Sequence, residues 1–400
     1  MSVTESEVVI ERNGKITAAP GDPARMEAFL PSPCVQNHAA NIMPLKSGDI
    51  LCAWFGGTQE GMADISIYCS RLSSGSKSWE DAVKLSDDPT KSEQNPVLFP
   101  APDGKLWLLW TAQKSGNQDT AFVRYRISED DGHTWGPIQT LFGPNEGYGS
   151  FIRQPIVVLD NGEWLLPVFY CYKKPGTKWV GDDDTSAVKI SSDQGQTWAD
   201  YAVPGSTGCV HMNVEKLNDG TLLALFRSRW ADNIYWCHSR DNGRTWTEPA
   251  PTELPNNNSS IQFTGLNNGH LAIVYNHRRA DQATERRASL YDEIEEEDGP
   301  EQEAVAEAEE NTSGRKAFWG TPRAPMTLAI SEDGGRTWRR KRDLEVGDGY
   351  CMTNNSQLGR NREFSYPSIK QGSDGKLHIA FTYFRQAIKY VRVAEDWVRS

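Results

Sequence analysis

Six polar residues recur at one offset from six glycine turns. Counting back nine or ten positions from Gly48, Gly104, Gly162, Gly220, Gly269 and Gly375 reaches His38, Asn95, Arg153, His211, Ser260 and Tyr366. Residues nearer each turn are Val, Leu or Ile, so the polarity belongs to this register. Two imidazoles, a phenol and a guanidinium at one level can move protons near neutrality and hold an anion. Two more arginines fall at strand ends on the same level, Arg227 closing LLALFR and Arg323 opening TPRAPMTLAIS. A channel-lining cation is costly without a partner, so a carboxylate must come from the protein or from a ligand. Glu60, Asp64 and Glu215 are the protein's own candidates, but three guanidinium groups at one opening favour an anionic ligand. Gln154, beside Arg153, and Glu60, in the loop WFGGTQEG, are further candidate binding groups.

The elements that must bring these residues together are written in two repeats. Each glycine turn precedes an apolar strand, as in GDILCAWF, GKLWLLW and GTLLALF, and the turns are 56, 58, 58, 49 and 106 residues apart. The second repeat is Ser-x-Asp-x-Gly-x-Thr-Trp, at Ser128–Trp135, Ser191–Trp198, Ser239–Trp246 and Ser331–Trp338, with a degenerate copy at Ser70–Trp79. A short polar side chain bonds its own turn, Gly takes the positive φ and Trp folds back over an apolar layer, which makes a self-stapled hairpin between two outer strands. Radial repetition of this kind predicts an all-β chain: a six-bladed β-propeller of four-stranded antiparallel blades, forming one domain over 1–400. The first strand of each blade then lines the central channel, and one register gives one mouth. Only two strands fit after Gly375, so a strand from the N-terminus, around Val8–Arg12, is expected to close the ring.

The long step contains residues 281–318, whose block YDEIEEEDGPEQEAVAEAEEN is too acidic and too poor in aromatics to pack, so a mobile insertion within blade five is expected. The net charge of −12 opposes nucleic acid and anionic membranes as partners. The start lacks a basic stretch followed by an apolar run and no segment has the length of a membrane span, so a cytoplasmic location is expected. Seven cysteines without a CxxC pair argue against a metal site or a disulfide framework, and no cofactor is expected. Asn-x-Ser/Thr triplets stand at Asn257, Asn258, Asn311 and Asn354. Oligomeric state is left open.

With these boxes, from about residue 33 to 390, the chain resembles the sialidase superfamily. The resemblance implies a propeller whose mouth binds the carboxylate of an acidic sugar with three arginines, attacks with a tyrosine assisted by a glutamate and protonates the leaving group with an aspartate. On that reading Tyr366 is the nucleophile, Arg227 and Arg323 are carboxylate ligands, and Asp64 is the acid/base. Two positions depart: His38 stands where the first arginine is expected, and His211 where the glutamate partner of the tyrosine is expected. A phenol of pKa near ~10 needs a base or local positive charge before it attacks, and His211 can serve as that base. The implied activity is an exo-glycosidase on a terminal ulosonic or uronic acid. A uronate-specific eliminating lyase and a non-catalytic propeller binding an acidic glycan or a protein are the alternatives.

Overall fold

A computed structural model describes residues 10–174, 176–283, 285–294 and 314–399, and within them six antiparallel sheets follow one another around a ring. Blade one comprises Gln36–Pro44, Ile50–Gly57, Ser66–Leu72 and Val83–Lys84, from the axis outward, and blade two Ser92–Pro100, Leu106–Lys114, Asn117–Ser128 and Gln139–Phe142. Blade three has a divided inner strand, Tyr148–Phe151 and Val157–Val158, then Trp164–Tyr172, Thr185–Ser191 and Ala199–Ala202. Blade four is Cys209–Lys216, Leu222–Ser228, Asn233–Ser239 and Ala250–Pro255, and blade five Gln262–Gly265, Leu271–Asn276, Met326–Ser331 and Arg340–Glu345. Blade six is Phe364–Gln371, Leu377–Tyr383 and Ala387–Val393, completed by Asp22–Phe29 and Thr17–Ala19. The fold is thus the six-bladed propeller that the two repeats predict. All seven cysteines are free thiols.

The strand that closes the ring does come from the N-terminal part, but further along than Val8–Arg12. Asp22–Phe29 pairs with the last strand, from Met26 opposite Arg392 to Phe29 opposite Lys389. Residues 10–12 lie in no strand, and Val8 and Val9 fall outside the described residues. The cause is local: Pro20 and Gly21, the latter at φ 75°, make the tight turn that folds Thr17–Ala19 back on Asp22–Phe29. Phe29 then meets Tyr383 edge-on at 5.0 Å.

Each box behaves as its residue types require. In the first, Ser128 Oγ accepts from Gly132 N at 2.8 Å while Asp130 Oδ1 accepts from Thr134 N at 2.8 Å and Asp130 Oδ2 from Thr134 Oγ1 at 2.6 Å. The other three complete copies repeat this pattern around Asp193, Asp241 and Asp333. All four join the two outer strands of their blades, on the face opposite the loops that follow the second strands.

Between blades, side chains of the innermost strands take up main-chain donors of their neighbours. Asn41 Oδ1 accepts from Leu98 N at 2.9 Å, Asn213 Oδ1 from Phe263 N at 2.8 Å, Gln262 Oε1 from Ile369 N at 2.7 Å and Ser368 Oγ from Ile42 N at 2.9 Å. These bonds satisfy groups buried too deeply for water, and they tie the ring at the axis.

The hydrogen bonds from Thr197 and Ser191 depress the Asp193 carboxyl to about 2. A folded-state value below the unfolded one gives stability that is present above about pH 4 and is lost as the pH falls toward 2. Asp193→Asn is therefore expected to lower the melting temperature at neutral pH, with the gap from the parent narrowing under acid. Thermal scans between pH 7 and 2 that kept a constant gap would contradict the charge-based account.

Candidate active site at the propeller mouth

The register that selects the polar ring coincides with a repeated break in the inner strands. Pairing with the second strand slips between His38 and Asn41, Gln94 and Val97, Val210 and Asn213, and Ser365 and Ser368. At these bulges Ala39, Asn95, His211 and Tyr366 adopt φ of 62°, 53°, 54° and 51°. Such a backbone costs a non-glycine residue roughly 1–2 kcal/mol, and it re-aims a side chain at the point where ladder pairing stops. In blade three Arg153 lies in the gap between the two parts of the inner strand, and in blade five Asn258, at φ 57°, and Ser260 precede Gln262–Gly265.

Tyr366 is the centre of the cluster. Its ring centroid lies 5.5 Å from the Arg153 guanidinium, 5.6 Å from that of Arg227 and 5.6 Å from that of Arg323. The rings of His38 and His211 are 4.2 Å and 5.7 Å away. Arg227 Nη1 donates to Tyr366 Oη at 2.7 Å and lies 3.3 Å from His211 Nε2, while Arg227 Nε donates to Asn258 Oδ1 at 2.8 Å. Arg153 extends across the axis to the carbonyls of Ala40, Tyr366 and Pro367 at 2.9, 3.2 and 3.3 Å, and to Ser260 Oγ at 3.3 Å. His38 Nδ1 shares a hydrogen bond of 2.9 Å with Thr382 Oγ1. The inferred ring is thus one assembly, and Asn95 is buried at the same register in blade two.

Charge is unevenly compensated. Glu363 Oε2 accepts from Arg323 at 2.9 Å and ion-pairs with Arg385, which also bonds Glu60 at 2.5 Å. Arg153 and Arg227 bond only neutral groups; burial lowers each to about 10, leaving both charged at neutral pH. Arg153 Nη1, Arg227 Nη2, His38 Nε2 and His211 Nδ1 are buried and find no hydrogen-bond partner among the described residues. Burial, then the surrounding arginines, pushes both imidazoles well below their ordinary range, so both are neutral.

Other candidate residues are placed differently. Asp64 is exposed and accepts from Thr58 N and Oγ1 at 2.8 and 3.0 Å, apart from the Tyr366 cluster, because the loop after Ile50–Gly57 turns Glu60 inward in its place. Glu60 serves Arg385 and Glu215 lies near Lys370, so the protein's carboxylates reach Arg323 but neither Arg153 nor Arg227 among the described residues. Gln154 is spent on the ring, donating to the Ile261 carbonyl at 2.7 Å and accepting from Gln262 at 3.0 Å. Asn257, Asn258 and Asn354 are buried with bonded amides, which removes them as glycan acceptors in the folded chain; Asn311 lies outside the described residues.

Residues 48–379 match the BNR repeat-like domain. This chain belongs to the BNR repeat-like family. No curated protein matches. Among solved structures, a Hadza microbial sialidase is similar at 14% identity and a TM-score of 0.65, with 91% of this chain and 66% of that one covered. The intramolecular trans-sialidase from Ruminococcus gnavus, solved with oseltamivir carboxylate, is similar at 12% and 0.63, covering 91% and 95%. The Trypanosoma rangeli sialidase, solved with sialic acid, is similar at 13% and 0.58, covering 97% and 58%. At these identities the likeness is one of fold.

Several residues of this BNR-repeat protein escaped the offset argument. Arg385 and Glu363 lie outside the nine-residue register, although Arg385 sits in a turn after a second strand, as Glu60 does. Arg229, paired with Asp184 at 2.7 Å under Trp179 and Trp319, is two residues beyond Arg227 on the same strand end. The flanks of the insertion do not stand off as a solvated loop: Leu290, Tyr291, Ile294, Ala317 and Trp319 pack with Phe151, Phe169, Cys171 and Trp179 over the mouth. The expected mobility of the insertion otherwise concerns 295–313, outside the described residues.

Because His38 and His211 resist protonation in the folded state, the unfolded chain binds more protons below about pH 6.5 and stability falls as the pH drops through that range. Their ring nitrogens should keep neutral chemical shifts in NMR spectra down to about pH 5. Titration of either ring near its ordinary value would show that neither burial nor the arginine field acts on it as described.

Proposed function

We propose that the chain is an exo-glycosidase that releases a terminal acidic sugar, an ulosonic or uronic acid. The observation that carries this reading is the pair Arg153 and Arg227: two buried cations beside one phenol, each with an N–H edge and a charge that find no partner among the described residues. A sugar carboxylate supplies the missing charge and fills those edges, a charge-assisted contact worth more than a neutral one. Two of the fold neighbours were solved with acidic ligands, oseltamivir carboxylate and sialic acid, which supports the same ligand class. The first arginine of the sialidase pattern is His38 here, and Arg153, from the opposite side of the ring, supplies a cation beside Tyr366 in its stead.

In this mechanism the carboxylate sits against Arg153 and Arg227, which places the anomeric carbon near Tyr366 Oη. Negative charge on Oη is stabilised by the Nη1–H of Arg227 at 2.7 Å and by the guanidinium groups around the ring. His211, neutral and sharing that Nη1, has the protonation state that a base needs. The leaving-group proton is assigned to the loop carrying Glu60 and Asp64. Asp64 is the group assigned to give it, once substrate draws it from its hydrogen bonds with Thr58, since Glu60 is held as an ion pair with Arg385.

The two neutral imidazoles beside the phenol also favour a second chemistry, abstraction of the proton next to a uronate carboxylate and elimination of the glycosidic bond. A product absorbing in the ultraviolet separates elimination from hydrolysis. A propeller that only binds acidic glycans would turn over no substrate of either kind.

Aryl glycosides of sialic acid, other ulosonic acids and uronic acids test the reading. Tyr366→Phe is expected to lower kcat by at least about 100-fold with the melting temperature little changed. Arg227→Met should abolish saturation by the acidic sugar while leaving stability equal or higher, since it removes an uncompensated buried charge. Release of neutral sugars alone, or full activity in Tyr366→Phe, would overturn the assignment.

A further inference from the structure

The catalytic cluster proposed above is sealed. Tyr366, Arg227, Arg153, His211 and His38 are at most 5% exposed. The segment following the blade-five second strand docks beside this cluster, in one apolar group with Val210, the neighbour of His211, and with Trp319, whose ring is 5.7 Å from the Arg227 guanidinium. Tyr291 Oη lies within hydrogen-bond distance of three carboxamide nitrogens, those of Gln94, Gln113 and Gln118 at 3.3, 3.2 and 3.1 Å. All three glutamines are at most 5% exposed and come from blade two. Beneath the ring, Gly61 leaves no room for a side chain: a Cβ there would stand 2.8 Å from Tyr291 and 2.7 Å from Ile294.

The segment is latched at its other side. Arg287 ion-pairs with Asp292 at 2.5 Å and donates to Asn354 Oδ1 at 3.1 Å. Glu293 accepts from Asn354 N at 2.7 Å, and Asn354 Nδ2 donates to the Leu290 carbonyl at 2.6 Å.

A phenol hydroxyl has two lone pairs and one proton, whereas three buried carboxamides offer three acceptors and six N–H bonds. Gln113 Oε1 finds no partner among the described residues. The cradle therefore exceeds what one phenol needs, and suits a group with several hydroxyls. Burial, with Glu60 nearby, raises the Tyr291 phenol above its ordinary value, and the same carboxylate disfavours a second anion at this place.

We propose that residues 287–294 are a built-in plug, in which Tyr291 occupies a subsite made by Gln94, Gln113 and Gln118 for the neutral hydroxyl groups of a sugar, so that ligand entry displaces the plug. Only the direction of entry rests on the glycosidase reading; the opening itself can be measured without any turnover.

Cys171 provides the measurement. It is fully buried in the same apolar cluster as Tyr291, with its thiol 3.5 Å from Gln118 Oε1. Burial first, and then Asp184, raises the thiol well above its ordinary range, so it reacts only when the cover lifts. Alkylation of native protein by iodoacetamide, read peptide by peptide by mass spectrometry, reports opening, with Cys52 and Cys237 in other clusters as controls. Tyr291→Phe keeps the ring and removes the hydroxyl, and Asp292→Asn with Glu293→Gln loosens the latch at exposed positions without making a cavity. Both are expected to label Cys171 about 10-fold faster than the parent, with the controls unchanged. Unchanged labelling in both would overturn the plug. In the latch variant galactose should speed labelling by competing for the cradle, whereas trimethylamine N-oxide, which favours compact states, should slow it. If galactose slows labelling as well, the sugar subsite is refuted even where the plug opens.

Discussion

One guanidinium, that of Arg153, ties the molecule together at its axis. It leaves blade three, crosses the channel and bonds carbonyls of blade one and blade six and the hydroxyl of Ser260 ahead of blade five. A propeller of separately folded sheets needs something at the centre, where the inner strands diverge from their partners and backbone carbonyls would face one another. A cation with five fixed donors answers that need better than any neutral side chain. The same choice bears on the site, because a buried cation that bonds only neutral groups among the described residues keeps its full field at the mouth. Everything placed around it, the phenol, the neutral imidazoles and the second uncompensated arginine, is arranged in that field.

The acid chain Glu60–Arg385–Glu363–Arg323 shows how the field is limited. Two carboxylates answer two of the four arginines, leaving a local excess of positive charge in a protein whose net charge is −12. Burial makes that excess costly unless an anion arrives, and the imidazoles do not add to it because burial, and then the arginines, keep them neutral. Stability and chemistry are also separated in space. The boxes staple the outer strands at the far face, so the mouth tolerates strained backbone at four inner-strand bulges without unravelling the blades.

The sequence disclosed most of this because its repeats are periodic and the site is built on the period. Nine residues before the glycine turns of blades one, two, four and six stand Ala39, Asn95, His211 and Tyr366, the four residues at positive φ in the bulges. The nine-residue offset therefore marks a backbone conformation, and the functional side chain sits on it or, in blade one, beside it at His38. Polar residues there and apolar ones nearer the turn reflect one cause, the end of ladder pairing. What the period could not disclose lies off it: Arg385 and Glu363, the hairpin that moves the closing strand to Asp22–Phe29, and the inward turn of Glu60 in place of Asp64. Composition misled at the flanks of the insertion, since acidity averaged over 281–318 hides Leu290, Tyr291 and Ile294, which suffice to dock the segment.

That docking changes how the mouth has to be understood. An open funnel lined by arginines would be hydrated, and water would screen the field on which the phenol depends. With Trp319 5.7 Å from the Arg227 guanidinium and Tyr291 seated among three glutamines nearby, the cluster is buried from bulk solvent. On the proposed reading such a site favours a carboxylate, which would exchange its hydration for two guanidinium edges left without a partner among the described residues. On that reading the cover and the uncompensated arginines act together, the first by yielding its cradle to sugar hydroxyls and the second by holding an anion beside the phenol.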